Sequence, residues 1–258
     1  MGKYFTVTVK PTIDVAALAA GNITDTEILF DWKAFDVPKG ASKLIGITAL
    51  YTGKNGVDYT SGDFELFFAK TVNNVAPGTL GDDGAAVDTF GWFPNLIGKT
   101  YMDSASGAND GDLIMGNVWA AVSPGAGALA DANPNNKVSA NGVVLQGEPD
   151  SGTNVGYDKL YVASIAKGNH NWGVSTMVVS TETATSTPTL VVKTLSPVLS
   201  GIGPGDILKD EDDQLLGTVK SVDSATQITL EDNCANVSAV DKAVYNTCPI
   251  TLILSFEK

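Results

Sequence analysis

His170 is the only histidine in the chain, so a Ser-His-Asp triad could be built only around it. Asn169 and Asn171 flank it and Trp172 follows. That polar setting reads as a loop tip, at the surface or in an interface, and not as a catalytic cleft. Two cysteines, Cys234 and Cys248, and one histidine do not supply a structural zinc site. The cysteines either close a loop worth about 3 kcal/mol or remain two buried thiols, and nothing in the sequence suggests the secretion that would favour the bridge. Asp103 to Asp112 carries oxygen ligands at loop spacing, but Ala105 and Gly107 stand where an EF-hand needs oxygen and the closing Glu is absent. An ordinary Asx-rich turn accounts for it. Asp82-Asp83 and Asp210 to Asp213 read as solvated turns. None of the 29 acids stands in a setting recognisable as a glycosidase pair. Gly201-Ile202-Gly203-Pro204-Gly205 is followed by a strand pattern and not a helix, so it reads as a β-turn and not a phosphate cradle. The residues therefore specify no catalytic site, no cofactor and no metal.

The aromatic residues offer a different chemistry, that of contact. Phe90, Trp92 and Phe93 form an apolar island in a long polar stretch from 71 to 113, and Trp172 follows the lone histidine. Such side chains line glycan platforms and protein interfaces when exposed, and cores when buried. Trp119 reads as core. Trp92 reads equally as a contact with another chain and as local packing. Long loops in a folded domain are usually functional or packed against a partner.

The elements that must position these residues are strands. Alternating or continuous apolar runs mark Tyr4 to Val9, Thr26 to Trp32, Lys43 to Tyr51, Phe64 to Lys70, Leu113 to Val122, Val143 to Gln146, Lys159 to Ala166 and Trp172 to Ser180. Asp14 to Gly21 reads as one or two helical turns, capped by Asp14 and stopped by Gly21. Pro38-Lys39-Gly40 and Lys54-Asn55-Gly56 read as turns, and Ser123 to Asn136 as loop. Thr181 to Pro188 reads as a Thr-rich linker. Beyond it, Thr189 to Lys193, Ile207-Leu208, Leu215 to Val222 and Thr226 to Leu230 form short strands separated by polar turns. Hairpins that short must close into a barrel or pack on something larger. The expected architecture is all-β: an antiparallel β-sandwich built from residues 1–188 and 249–258, with a small SH3-like β-barrel inserted at 189–248. Strand Ile250 to Phe256 returns to the sandwich as a neighbour of Tyr4 to Val9.

Composition narrows the function classes. The net charge is −13, and all 16 basic residues are lysine. Arginine is the preferred residue for bidentate phosphate and base-edge contacts. An acidic chain without it is not expected to bind nucleic acid directly. No apolar run has the length of a membrane span. Met1 to Thr6 lacks a signal-peptide core, and Tyr4 already begins a strand.

The barrel stretch, with Gly205-Asp206-Ile207-Leu208, Leu216-Gly217-Thr218-Val219 and Ser221 to Leu230, resembles small β-barrel modules of virion structural proteins of tailed bacteriophages. Ile28 to Trp32, Asp36 to Gly40 and Phe64 to Lys70 are similar to segments of structural proteins of marine tailed phages, including those that infect cyanobacteria. The resemblance implies a non-enzymatic virion component. Its size, all-β pattern, acidic exterior and long Gly/Ala/Asn loops fit a capsid decoration (cement) protein. Such a protein would sit on the outer capsid surface after assembly in the host cytoplasm. Its partner would be the major capsid protein, and it would form a homo-oligomer. The alternatives are a tail-tube or baseplate protein, and a head-fibre adhesin that binds glycan.

Overall fold

A computed structural model describes residues 3–52, 63–102, 116–122, 143–148, 157–172, 177–193 and 202–258, with the backbone alone at 52, 116–122, 143 and 157. Asp103 to Asp112, Lys54-Asn55-Gly56, the 123–136 loop and the side chain of Trp119 lie outside the described residues.

The fold is all-β and antiparallel. One sheet is ordered β1 (Tyr4–Val9), β14 (Ile250–Glu257), β3 (Ser42–Thr52), β6 (Gly116–Val122). A short β7 (Val143–Leu145) shares β3's free edge, pairing at Ser42 to Leu44 where β6 does not reach. The expected pairing of first and last strands is present: Tyr4 lies opposite Glu257 and Val9 opposite Leu252. The second sheet is ordered β2 (Ile28–Pro38), β8 (Tyr157–Ala166), β4 (Phe64–Lys70), β5 (Leu96–Met102).

Between them lies the main core. Strand β14 shows why: Ile250, Leu252, Leu254 and Phe256 alternate with half-buried residues, so one face is apolar throughout. They meet Phe30, Phe35, Phe64, Leu66, Phe68, Leu160 and Val162 of the other sheet. Helix α1 (Val15–Ala20) follows the expected boundaries, ends at Gly21 in a positive-φ conformation, and adds Val15 and Leu18 to the same core.

Three expectations change. Strand β2 runs on past Trp32 to Pro38, pairing with β8 over its whole length. Strand β5 lies inside the stretch expected to be loop. Trp172 to Ser180 contains no continuous strand among its described residues; Val178 and Val179 make single bridges only.

Those bridges close the barrel. A third sheet is ordered β13 (Val244–Asn246), β10 (Ile207–Asp210), β11 (Leu215–Ser224), β12 (Gln227–Leu230), β9 (Thr189–Val191). Val178 bridges to Ala243 beside β13, and Val179 to Val192 beside β9. The pair therefore joins the two outer strands. Met177 and Val179 are buried with Leu190, Leu208, Leu216, Val219, Ile228 and Leu230 in a core of the barrel's own. Thr181 to Pro188 is not a free linker: Thr183 is buried, donates from Oγ1 to Asn236 O and accepts the Ser238 N–H. Strand β13 serves both cores, with Val244 facing the barrel and Tyr245, like Ala243 just before the strand, in the sandwich core.

Candidate functional site

The expected contact residues lie on a layer outside the second sheet. Strand β4 explains the layer. Phe64, Leu66 and Phe68 face the main core, while Phe67 points the other way and is also buried. An apolar side chain on the outer face must be covered. The cover is the segment from 71 to 95. Its apolar members, Leu80, Val87 and Trp92, pack on Ile28, Phe67, Ala163 and Trp32.

Polar groups of the sheet tie this cover down. The Asp31 carboxylate accepts the Leu80 N–H at 3.0 Å and the Thr79 hydroxyl at 2.7 Å. Trp32 Nε1 donates to Gly78 O at 2.9 Å. The segment opens with a tight turn in which Asn73 and Asn74 adopt positive φ, conformations that Asn tolerates well. Glu148 receives both their N–H groups, at 2.7 and 2.8 Å. Those bonds, led by Asn74, hold its carboxyl below the usual carboxylate range. Asp83 accepts the Asp14 N–H at 2.9 Å, docking the segment against α1. Burial pushes the Asp83 carboxyl up to about 7; the negative charges of Asp14 and Asp31 add to the rise, and their backbone N–H groups partly offset it.

At the end of the cover the chain forms an aromatic knuckle. Trp92 is only 4% exposed, so it is an anchor and not a contact residue. Its Nε1 donates to Thr89 O at 2.8 Å, and its ring meets Phe67 and Trp32 edge to face at 5.7 and 5.9 Å. Phe90 and Phe93 remain 59% and 55% exposed, with ring centroids 5.1 Å apart. Phe93 also stands at 88° to Trp92, with centroids 4.5 Å apart. A turn bond from Phe93 N–H to Phe90 O and the 3₁₀ turn Phe93–Asn95, with Pro94 in its first turn, fix the backbone. Asn95 is buried and donates through Nδ2 to Lys70 O and Val75 O, pinning the knuckle's base to the end of β4. The result is two exposed rings on a rigid mount.

The other expected contact residue, Trp172, is also buried, stacked on Tyr51 with centroids 5.2 Å apart. His170 is fully buried beside it, so the loop-tip reading is wrong. Asn171 donates through Nδ2 to Oδ1 of the exposed Asn22 at 2.7 Å, while its own Oδ1 is buried without a hydrogen-bond partner. Cys234 and Cys248 are free, buried thiols. Asp210 is not solvated as expected; it is buried and accepts the N–H groups of Asp212 and Gln214.

Among the described residues no group of three His, Cys, Asp or Glu side chains could hold a metal ion, and no helix is long and apolar enough to cross a membrane. The signal that could have separated Trp92 from Phe90 and Phe93 was Phe67, the residue that breaks the alternation of β4. Comparison of the chain with protein-family models, with curated proteins and with solved structures returns no match.

Proposed function

We propose that the chain is a non-enzymatic structural protein of a tailed-phage virion, a capsid decoration protein that binds across neighbouring subunits of the major capsid protein and stabilises the shell. The resemblance of the barrel and the front strands supports the virion class. The observation that carries the binding role is the exposed Phe90–Phe93 pair on its buried Trp92 mount. Pre-ordered aromatics lose little conformational freedom on docking, and aromatic anchors dominate binding energy at interfaces. Fully burying one such ring contributes about 1.5–3 kcal/mol. That is modest for one copy, but a homo-oligomer on a symmetric lattice multiplies it.

The test is co-sedimentation of the purified protein with undecorated expanded capsids, counting bound copies per shell. Saturation at a fixed lattice stoichiometry supports decoration. Absence of binding, with the pure protein assembling into rings or tubes, rejects decoration for a tail-tube or baseplate role. Absence of both, with retention on a glycan array, rejects it for an adhesin.

A further inference from the structure

Three side chains meet where the sandwich joins the barrel. Lys10 directly follows β1, Asp206 directly precedes β10, and Asn246 ends β13. The Asp206 carboxylate holds the other two, one on each oxygen. Lys10 Nζ donates to Oδ1 at 2.6 Å, and Asn246 Nδ2 donates to Oδ2 at 2.9 Å. The amide is also held at its other end, where Oδ1 of Asn246 accepts the Cys248 N–H at 2.9 Å. A carboxylate only accepts and an N–H only donates, so these two partners fix which end of the amide is which. Gly203 N–H completes the shell of Asp206 Oδ2 at 2.9 Å, and Lys10 Nζ donates also to Pro204 O at 2.8 Å. Asp206 is 3% exposed, and the Lys10 side chain is 27% exposed.

An ion pair between Lys10 and Asp206 does not need the amide. The arrangement of amine, carboxyl and polarised amide is that of an amide exchange, and we propose that Lys10 and Asn246 become joined by an isopeptide bond with Asp206 as the proton carrier. Asp206 accepts a proton from the Lys10 ammonium, leaving a neutral amine. The amine lone pair attacks Cγ of Asn246, forming the Nζ–Cγ bond. Charge develops on Oδ1, where the Cys248 N–H already points. Asp206 returns its proton to Nδ2, the Cγ–Nδ2 bond breaks, and ammonia leaves with the remaining amine proton as ammonium. The balance is lysine ammonium plus carboxamide giving a secondary amide plus ammonium, with no oxidant or other reactant. The bond would tie the end of β1 to the end of β13, locking barrel to sandwich.

The experiment is an intact-mass measurement on the denatured, purified full-length chain, followed by proteolysis and fragment mapping. The expected mass is about 17 Da below that of the sequence, the loss of one ammonia, with a branched fragment joining the Lys10 and Asn246 peptides. The variants K10R, D206N and N246A should each retain the full sequence mass. A wild-type chain at full mass after prolonged incubation overturns the proposal and leaves an ion pair only. A deficit that maps elsewhere, or one that persists in K10R, overturns it equally. The wild-type measurement stands even if a variant fails to fold.

Discussion

The Tyr51 hydroxyl donates to Nδ1 of His170 within the sandwich core. The opposite ring nitrogen, Nε2, lies 2.9 Å from Asp63 O. A carbonyl oxygen can only accept, so Nε2 carries the proton and the ring is neutral. Phe64 and Trp172 enclose the pair. Burial pushes the His170 pKa down to about 4, with the Asp63 carbonyl opposing the shift. The folded state therefore binds fewer protons than the unfolded state between about pH 4 and the ordinary histidine value near 6.5. Stability should be complete above that window and fall by about 3 kcal/mol as the pH drops through it. Urea denaturation at pH 7, 5.5 and 4 measures this, and H170Q, which cannot titrate, should lose that part of the slope.

Asp83 should act in the opposite direction. Its carboxyl is held up to about 7, so the folded chain binds more protons than the unfolded one from near pH 4 to 7. Its contribution is present in acid and is lost as the pH rises through about 7. D83N keeps an oxygen for the Asp14 N–H and removes the charge. It should stabilise the protein at pH 8 by on the order of 2–4 kcal/mol and have little effect at pH 4. Thermal melts of wild type and variant at those two pH values give the difference. A uniform shift at both would mean that the carboxyl ionises normally.

The strand pattern of the sandwich was legible because β1, β3 and β14 each present one apolar face, and alternation reports a half-buried sheet. The outer cover was not, because Leu80, Val87 and Trp92 are too widely spaced to form a period. Their burial depends on Phe67, which is local in space and distant in sequence. Strand β5 was missed for a related reason. Leu96-Ile97-Gly98-Lys99-Thr100 has no clean alternation, and its pairing with β4 decides its conformation. His170 was misplaced because Asn169 beside it is exposed, while the ring turns inward to Tyr51. Four of the barrel's five strands were readable; β13, only three residues long, was not, and the closure through Val178 and Val179 rests on two single bridges.

The knuckle separates contact from support. F90S/F93S removes two exposed rings and should leave the melting temperature nearly unchanged; if the chain decorates capsids as proposed, capsid binding should fall at least tenfold. W92A removes the buried anchor and should cost about 3–5 kcal/mol of stability, a loss visible without any partner. If the double variant binds capsids as the wild type does, the knuckle is not the contact surface.

Gly147 marks a close approach between β7's end and β8. A Cβ there would lie 2.5 Å from Cβ of Asp158 and 3.3 Å from its Cα, neither of which can swing away. Asp158 is itself fixed, since its Oδ2 accepts the Gly40 N–H at 3.0 Å at the turn between β2 and β3. G147A should therefore force the strands apart and cost about 1–3 kcal/mol. G91A, at a glycine with no neighbour within 4 Å of the added carbon, is the control and should be nearly neutral. Chemical denaturation of both variants measures the contrast.

The barrel should fold only when its closing segment is included. A fragment beginning at residue 189 retains all five strands but lacks Met177 and Val179, both buried in the barrel core. It also leaves the edges of β9 and β13 open where Val178 and Val179 would bridge them. The lost apolar burial is roughly 3–6 kcal/mol, comparable to the whole stability of so small a domain. A fragment of residues 177–248 should show a cooperative melt, and one of 189–248 should not. Tyr245, which faces the sandwich core in the full chain, becomes exposed in both fragments, so it does not account for the difference. Cooperative folding of the shorter fragment would place the closing residues outside the barrel's folding unit.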